Sequence, residues 1–126
     1  MDVHTLYTFG APHNGVSVYR KCVKWWCPFA NHILGYLAEF VIVQDFGAPP
    51  EYFRPWWNLD RFYEHSIFLP EINNETNIKD AGYKARLTSV KNFGLWSWEQ
   101  DTVVAPRESE WFGAWDDKRN VIPLKE

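Results

Sequence analysis

Two short runs of apolar, aromatic and β-branched residues have the pattern of buried β-strands. The first run is residues 3–9, and residues 10–15 end it because Pro12 cannot extend a ladder of hydrogen bonds. The second run is residues 93–98, which are short, aromatic and apolar. The pattern therefore predicts two sheet strands, one near the start of the chain and one in its second half.

Between these runs, apolar residues recur at helical spacing in two places. Residues 31–43 place four of them on one helical face, namely Ile33, Leu37, Phe40 and Val41. Three more share a face further along, Tyr83, Leu87 and Val90. Asp80 stands where the second helix needs an N-cap, and Pro70 closes a short apolar segment at residues 65–69. Two amphipathic helices are predicted, with irregular, proline-rich chain between them.

The segment between the predicted strands, residues 10–92, is much longer than an ordinary connection in an α/β unit. Insertions of this length usually cover a functional site. Two strands alone rarely make a stable sheet. The predicted fold class is therefore an α/β fragment, with two sheet strands bounding a long insertion of helices and loops.

Composition excludes several classes of protein. The 126 residues suffice for one modest domain. The net charge is −3 and the sequence has no basic stripe, so it does not indicate a surface that binds the phosphates of nucleic acid. No apolar run approaches the roughly 20 residues of a transmembrane helix, and Met1-Asp2-Val3-His4 is not the start of a signal peptide. With 8 Trp, 6 Tyr and 9 Phe, the chain must bury many aromatic side chains or present them to a ligand.

Asp101 is the residue whose position most suggests chemistry. It follows the second predicted strand, at the edge where α/β sheets carry ligands and catalytic groups. A carboxylate there can orient a histidine and stabilise its imidazolium form. The alternative is a solvated or capping loop carboxylate, and Glu99, nearer the strand, competes for the same role.

The other reactive side chains do not complete a catalytic site. His13 falls near the same edge, where a structural role bonded to the backbone is the simpler interpretation, and the remaining histidines (His4, His32 and His65) lack metal-ligand spacing. No Gly-x-Ser-x-Gly motif occurs, and no histidine follows Asp101, so the chain cannot build a hydrolase triad by itself. Neither a metal nor a cofactor is predicted.

Two further features concern covalent modification. Cys22 and Cys27 are close enough in sequence for a local disulfide, although two reduced core thiols fit nearly as well. Asn74-Glu75-Thr76 is a glycosylation sequon in a polar segment.

Short blocks along residues 3–124 follow an order that is shared with one enzyme family. They are Leu6-Tyr7-Thr8-Phe9-Gly10 with His13-Asn14-Gly15-Val16, Glu51-Tyr52-Phe53-Arg54-Pro55, His65-Ser66-Ile67-Phe68-Leu69 with Ile72-Asn73, Asp101-Thr102-Val103-Val104-Ala105-Pro106 with Glu108-Ser109-Glu110-Trp111-Phe112-Gly113, and Ile122-Pro123-Leu124. Together they resemble the palmitoyl-protein thioesterase family of α/β-hydrolases, in particular its lysosomal, protein-depalmitoylating branch. Residues 24–47 are the least similar part.

The resemblance implies hydrolysis of thioesters that join long fatty acyl chains to protein cysteines, with S-acylated proteins as partners. It makes Asp101 the acid of the triad, within an acid-bearing strand and loop at residues 93–126. It makes residues 16–92 an acyl-groove insertion, for which four lining residues are expected, Phe53, Trp57, Phe68 and Leu69, with core packing as the alternative.

The resemblance also implies modifications and a compartment. It pairs Cys22 with Cys27 in a disulfide and makes Asn74 a glycosylation site. Both fit a lysosomal or secretory lumen.

The family's nucleophilic serine lies before, and its catalytic histidine after, the segment that this chain matches. Residues 1–126 are therefore expected to be a partial α/β-hydrolase domain that is inactive alone. One alternative is a non-catalytic lipid- or glycan-binding module that uses Trp25-Trp26 and Trp56-Trp57. Another is a fragment of a general lipase or esterase, suggested by Pro12-His13-Asn14-Gly15, although the block at residues 101–113 argues against it.

Overall fold

The computed structural model describes residues 3–18, 26–38 and 51–123, and its central feature is a pair of parallel strands. Strand β1 is Thr5–Phe9 and strand β2 is Asn92–Trp96. They pair in parallel, with Thr5 opposite Asn92 and Phe9 opposite Trp96. Both predicted strands are present, but the prediction that they are buried is wrong, since neither strand contains a buried residue within the described part of the chain. The parallel direction agrees with the long connection, since a tight hairpin would pair them antiparallel.

Four helices lie between the strands in the described residues. They are α1 Cys27–Ala38, α2 Leu59–His65, α3 Leu69–Ile72 and α4 Ala81–Ser89. The first predicted helix is present but begins earlier than residue 31, and Phe40 and Val41 lie outside the described residues. None of the helices in the described ranges is long and apolar enough to cross a bilayer.

Helix α4 begins as the sequence predicts. The Asp80 side chain accepts a hydrogen bond from the backbone N–H of Gly82 at 2.6 Å, which caps the first turn. Val90, expected on the apolar face, is instead the residue that ends the helix, and no residue of α4 is buried. Capping therefore fixes the start of this helix more clearly than burial of an apolar face does.

Pro70 does not close an apolar segment, contrary to the expectation from sequence. It lies in the first turn of α3, immediately after Leu69. Proline is tolerated there because a backbone N–H in the first turn of a helix has no intrahelical partner to lose. The segment before it, Leu59–His65, is itself helical, with the Asn58 side chain as its cap.

The chain after β2 contains two elements that the sequence did not predict. A 3-10 helix spans Arg107–Trp111, and strands β3 Ala114–Trp115 and β4 Val121–Ile122 form a small antiparallel hairpin. The Asp116 carboxylate accepts hydrogen bonds from the N–H groups of Lys118 and Asn120, and these bonds shape the turn that joins β3 to β4.

The core lies beyond the carboxyl ends of β1 and β2 and not on the faces of the strands. Its buried apolar residues come from the insertion and from the chain after β2, and they are Phe53, Phe62, Leu69, Val104 and Ala114. Backbone hydrogen bonds join these segments. The N–H of Val16 donates to the carbonyl of Tyr52 at 2.7 Å, and the N–H of Ser17 donates to the carbonyl of Ala105 at 2.7 Å. The loop after β1 is thereby held between the insertion and the loop that contains Asp101.

Candidate functional site

Asp101 lies in a short, well-fixed loop just past the carboxyl end of β2. Its backbone N–H donates to the carbonyl of Trp98 at 3.0 Å, which closes a turn. Its carboxylate atom Oδ1 accepts hydrogen bonds from the N–H groups of Val103 at 2.5 Å and Val104 at 2.9 Å. The half-buried carboxylate is therefore held in place by the backbone that follows it.

Glu99, the competing acid, has a different environment. Glu99 is exposed, and its backbone carbonyl accepts a hydrogen bond from Arg107 Nη1 at 2.7 Å. A freely solvated carboxylate is a poorer orienting group than one fixed by two backbone donors, because it must lose side-chain entropy to hold a partner. The geometry favours Asp101.

Glu110 is a buried acid that reasoning from sequence missed. It is 1% exposed, and its Oε2 accepts from the backbone N–H of Trp98 at 3.1 Å. Burial raises the pKa of the Glu110 carboxyl above its ordinary value, Trp98 and Ser97 lower it by less, and the nearby Asp101 carboxyl adds a still smaller raising effect. The sequence marks this residue only as one of several acids in the Glu108-Ser109-Glu110 run.

The 3-10 helix binds the loop that follows β1. The backbone N–H of Asn14 donates to Ser109, to its carbonyl at 3.3 Å and to its hydroxyl at 3.1 Å. The Asn14 side-chain amide donates to the carbonyl of Phe112 at 2.8 Å. The loops at the ends of the two parallel strands therefore form one hydrogen-bonded unit.

His13, in the same unit, has the structural role expected of it but with a different partner. Its Nε2 is bonded to the hydroxyl of Thr8 at 2.8 Å, not to the backbone, and its ring stacks on Phe112 with centroids 4.6 Å apart. Burial lowers its pKa below the ordinary value of 6.5, which favours the neutral ring.

A buried polar network around Arg54 joins the insertion to this unit. The Arg54 guanidinium donates to both carboxylate oxygens of Glu75 at 2.9 Å, to Asn14 Oδ1 at 2.5 Å and to the hydroxyl of Tyr63 at 3.0 Å. Burial raises the pKa of Tyr63. The Arg54 and Glu75 side chains are only 7% and 11% exposed. No sequence pattern signals this network, because its members are far apart in the chain.

The four residues expected to line an acyl groove have two kinds of environment. Phe53 and Leu69 are in the core, at 3% and 0% exposure. Trp57 is half-buried and lines a cavity of about 360 Å³ with His32, Ile33, Tyr36, Leu37, Asn58 and Arg61. Phe68 is half-buried and packs on Tyr52. Phe53 and Trp57 touch, with ring centroids 5.9 Å apart.

The tryptophan pairs are placed differently from each other. Trp56 and Trp57 are half-buried, and Trp56 packs beneath the Arg119 guanidinium, 4.5 Å from its ring centroid. Trp26 is exposed, and Trp25 lies outside the described residues. The Trp56-Trp57 pair is therefore engaged in internal contacts.

The expected modification sites are only partly described. Cys22 and the side chain of Cys27 lie outside the described residues. Asn74 has a left-handed backbone conformation, with φ 59°. Its side-chain amide makes two hydrogen bonds with the backbone of Asp80: Nδ2 donates to the carbonyl at 2.8 Å, and Oδ1 accepts from the N–H at 2.7 Å. In the part of the chain that the structure describes, no three His, Cys, Asp or Glu side chains cluster as metal ligands would.

Comparisons with known proteins agree on one family. The family model for palmitoyl protein thioesterase matches residues 1–126. The chain is 30% identical over 125 residues to palmitoyl-protein thioesterase 1 of Caenorhabditis elegans, and 32% identical over 101 residues to palmitoyl-protein thioesterase 3 of Dictyostelium discoideum. These alignments cover 96% and 79% of this chain but 42% and 35% of the relatives.

A more distant relative, lysosomal thioesterase PPT2-B of Xenopus laevis, is 29% identical over 76 residues, which are 60% of this chain and 26% of that protein. The chain thus spans less than half the length of these relatives. The family implies an α/β-hydrolase, with which the helices and the parallel strand pair described above are compatible. On the match of a family model to all 126 residues, the chain belongs to the palmitoyl protein thioesterase family.

Proposed function

We propose that this chain is the acid-bearing part of an enzyme that hydrolyses long-chain fatty acyl thioesters of protein cysteines, with Asp101 as the acid of a Ser-His-Asp triad. The observation that carries the proposal is the placement of Asp101. Its carboxylate is fixed by backbone donors in the loop beyond two parallel strands, the position at which α/β sheets carry their catalytic groups.

In this mechanism, segments outside the chain supply the serine and the histidine. The serine hydroxyl attacks the thioester carbonyl while the imidazole takes its proton, and the cysteine thiol leaves with a proton returned by the imidazolium. Water then hydrolyses the acyl-serine ester by the same exchange of protons. The chain alone is accordingly inactive.

Asp101 would act on the histidine without itself changing protonation. Both backbone donors bind Oδ1, so Oδ2 is the oxygen best placed to accept the imidazole N–H. Such a bond selects the tautomer with a bare nitrogen towards the serine and stabilises the imidazolium when it forms.

The insertion would bind the acyl chain. The cavity beside Trp57 has mixed walls, apolar at Ile33 and Leu37 and polar at Asn58 and Arg61. In this proposal the domain boundaries are those expected from sequence, with residues 16–92 as the groove insertion and residues 93–126 as the acid-bearing segment. Phe53 supports the cavity through its contact with Trp57.

The proposal places the protein in a lysosomal or secretory lumen, and the name of the Xenopus laevis relative calls that protein lysosomal. It includes a Cys22–Cys27 disulfide, which such a compartment permits. It also includes a glycan on Asn74, whose Nδ2 would first have to release the Asp80 carbonyl.

The test is the rate of palmitoyl thioester hydrolysis by the full-length protein that carries this chain. Asp101→Asn should lower kcat by about 10⁴-fold, as removal of the acid does in a serine protease triad, because the amide favours the wrong imidazole tautomer. Glu99→Gln is the matched control, because it removes a neighbouring exposed acid, and it should leave kcat unchanged.

Near-normal turnover by Asp101→Asn would contradict the assignment of the acid. Loss of turnover in Glu99→Gln with Asp101→Asn active would transfer the role to Glu99.

A further inference from the structure

Glu110 is a buried carboxyl that the proposed mechanism does not use. It is 1% exposed, and Oε2 is bonded to the backbone N–H of Trp98. Its other oxygen, Oε1, is buried and has no hydrogen-bond partner within the described residues. An ionised carboxylate buried with an unfilled oxygen is costly, so a group of this kind needs either a donor or a proton of its own.

Trp98 connects this carboxyl to the proposed acid. Its N–H donates to Glu110, and its carbonyl accepts from the N–H of Asp101 at 3.0 Å. Glu110 therefore holds one side of the turn on which Asp101 lies. The 3-10 helix that carries Glu110 is itself fixed from the other side, because Ser109 binds the Asn14 N–H.

The two carboxyl groups also act on each other directly. Burial is the larger cause that raises the pKa of Glu110, and the interaction with Asp101 raises it further. The raised pKa favours the protonated form of Glu110.

We propose that Glu110 is a positioning residue for Asp101: its hydrogen bond to the Trp98 N–H fixes the Trp98–Asp101 turn and thereby the position of the Asp101 carboxylate. The inference rests on the proposed function, in which Asp101 is the acid of the triad.

The first test compares two substitutions of Glu110 in the full-length protein, by the kinetics of palmitoyl thioester hydrolysis. Glu110→Gln keeps an acceptor for the Trp98 N–H, and kcat should stay within about threefold of wild type. Glu110→Ala removes that acceptor and should lower kcat by about 10- to 100-fold, with a smaller change in KM, because the groups that bind the acyl chain are untouched.

Glu108→Gln is the matched control. It lies on the same 3-10 helix, and its carboxylate pairs with Arg107 at 3.4 Å in an exposed contact. It should leave kcat and KM unchanged, since exposed ion pairs contribute little.

The second test separates positioning from general support of the fold. If Glu110 acts through Asp101, then Glu110→Ala should slow an Asp101→Asn protein by no more than about threefold, because residues that act as a unit are not additive. A residue that only supports the fold would slow the Asp101→Asn protein as much as it slows the wild type.

Additive losses in this cycle would overturn the positioning role while the proposed function stood. A Glu110→Gln protein as slow as Glu110→Ala would also overturn the positioning role. If Glu110→Ala does not fold, the kcat of Glu110→Gln relative to wild type decides by itself, and a large loss of kcat overturns the positioning role. Normal turnover by Asp101→Asn would instead overturn the proposed function itself, and this inference with it.

Discussion

At the scale of single residues, the carboxyl groups of Asp101 and Glu110 differ in how well their surroundings stabilise a negative charge. Asp101 is half-buried and receives two backbone N–H groups, which stabilise a carboxylate. Glu110 is buried with one oxygen unbonded, and its pKa is raised. The two neighbouring acids therefore differ in how many hydrogen-bond donors the surrounding backbone supplies to each carboxyl group.

The raised pKa of Glu110 predicts how the stability of the protein depends on pH. The folded state binds this proton more tightly than the unfolded state, so Glu110 lowers the free energy of unfolding progressively as pH rises above its ordinary carboxyl value of 4.5. Glu110→Gln removes that dependence. Relative to wild type, its urea midpoint should therefore increase over the range in which the pH is raised above 4.5. Midpoints of the two proteins that run parallel over this range would contradict the prediction.

Sequence reasoning reached Asp101 but not Glu110 or Arg54, for a physical reason. Asp101 has a position that topology defines, since it follows a strand at the edge where chemistry is found. Glu110 and Arg54 are defined by partners that are distant along the chain, such as Asn14 and Glu75 for Arg54. Contacts of this kind leave no local periodicity to read.

At the scale of elements, segments with a clear apolar run were predictable, whereas the shortest elements and helix α2, despite its Asn58 cap, were not. Strands β1 and β2 and helix α4 carry runs of β-branched and aromatic residues or an Asp80 cap, and all three were expected. Helix α3 and strands β3 and β4 have only two to four residues each, too few for a period to show. Tertiary contacts decide such elements.

The Arg54 network predicts a large effect on stability, because it joins helix α2, the Glu75 segment and the loop after β1. Arg54→Met leaves the Glu75 carboxylate buried without its partner, and the free energy of unfolding of the full-length protein should fall by about 3–5 kcal/mol. Arg107→Met, which breaks an exposed pair with Glu108, should cost less than about 1 kcal/mol. Urea unfolding of both variants measures the difference.

A second substitution shows whether the lost charge partner is the cause. Glu75→Gln in the Arg54→Met protein should restore part of the stability, because the stranded carboxylate becomes a neutral amide. Equal losses for Arg54→Met and Arg107→Met would refute a stabilising role for the buried network.

At the scale of the whole molecule, the chain spans 42% and 35% of the two relatives reported above, and its strand pair is sparsely covered. Tyr7, Phe9 and Trp96 are each about half exposed and pack mainly on one another. Parallel sheets are normally covered on both faces. Under the proposed function, other segments of the enzyme cover these faces, and the many aromatic residues serve an interface as well as a core.

The central claim is that this chain supplies the acid of a three-residue mechanism, and neither the nucleophile nor the base. The most direct test is palmitoyl thioester hydrolysis by the purified 126-residue chain, measured beside the full-length protein. We predict turnover by the full-length protein and a rate equal to buffer for the chain. Hydrolysis by the 126-residue chain with ordinary enzymatic efficiency would contradict the account.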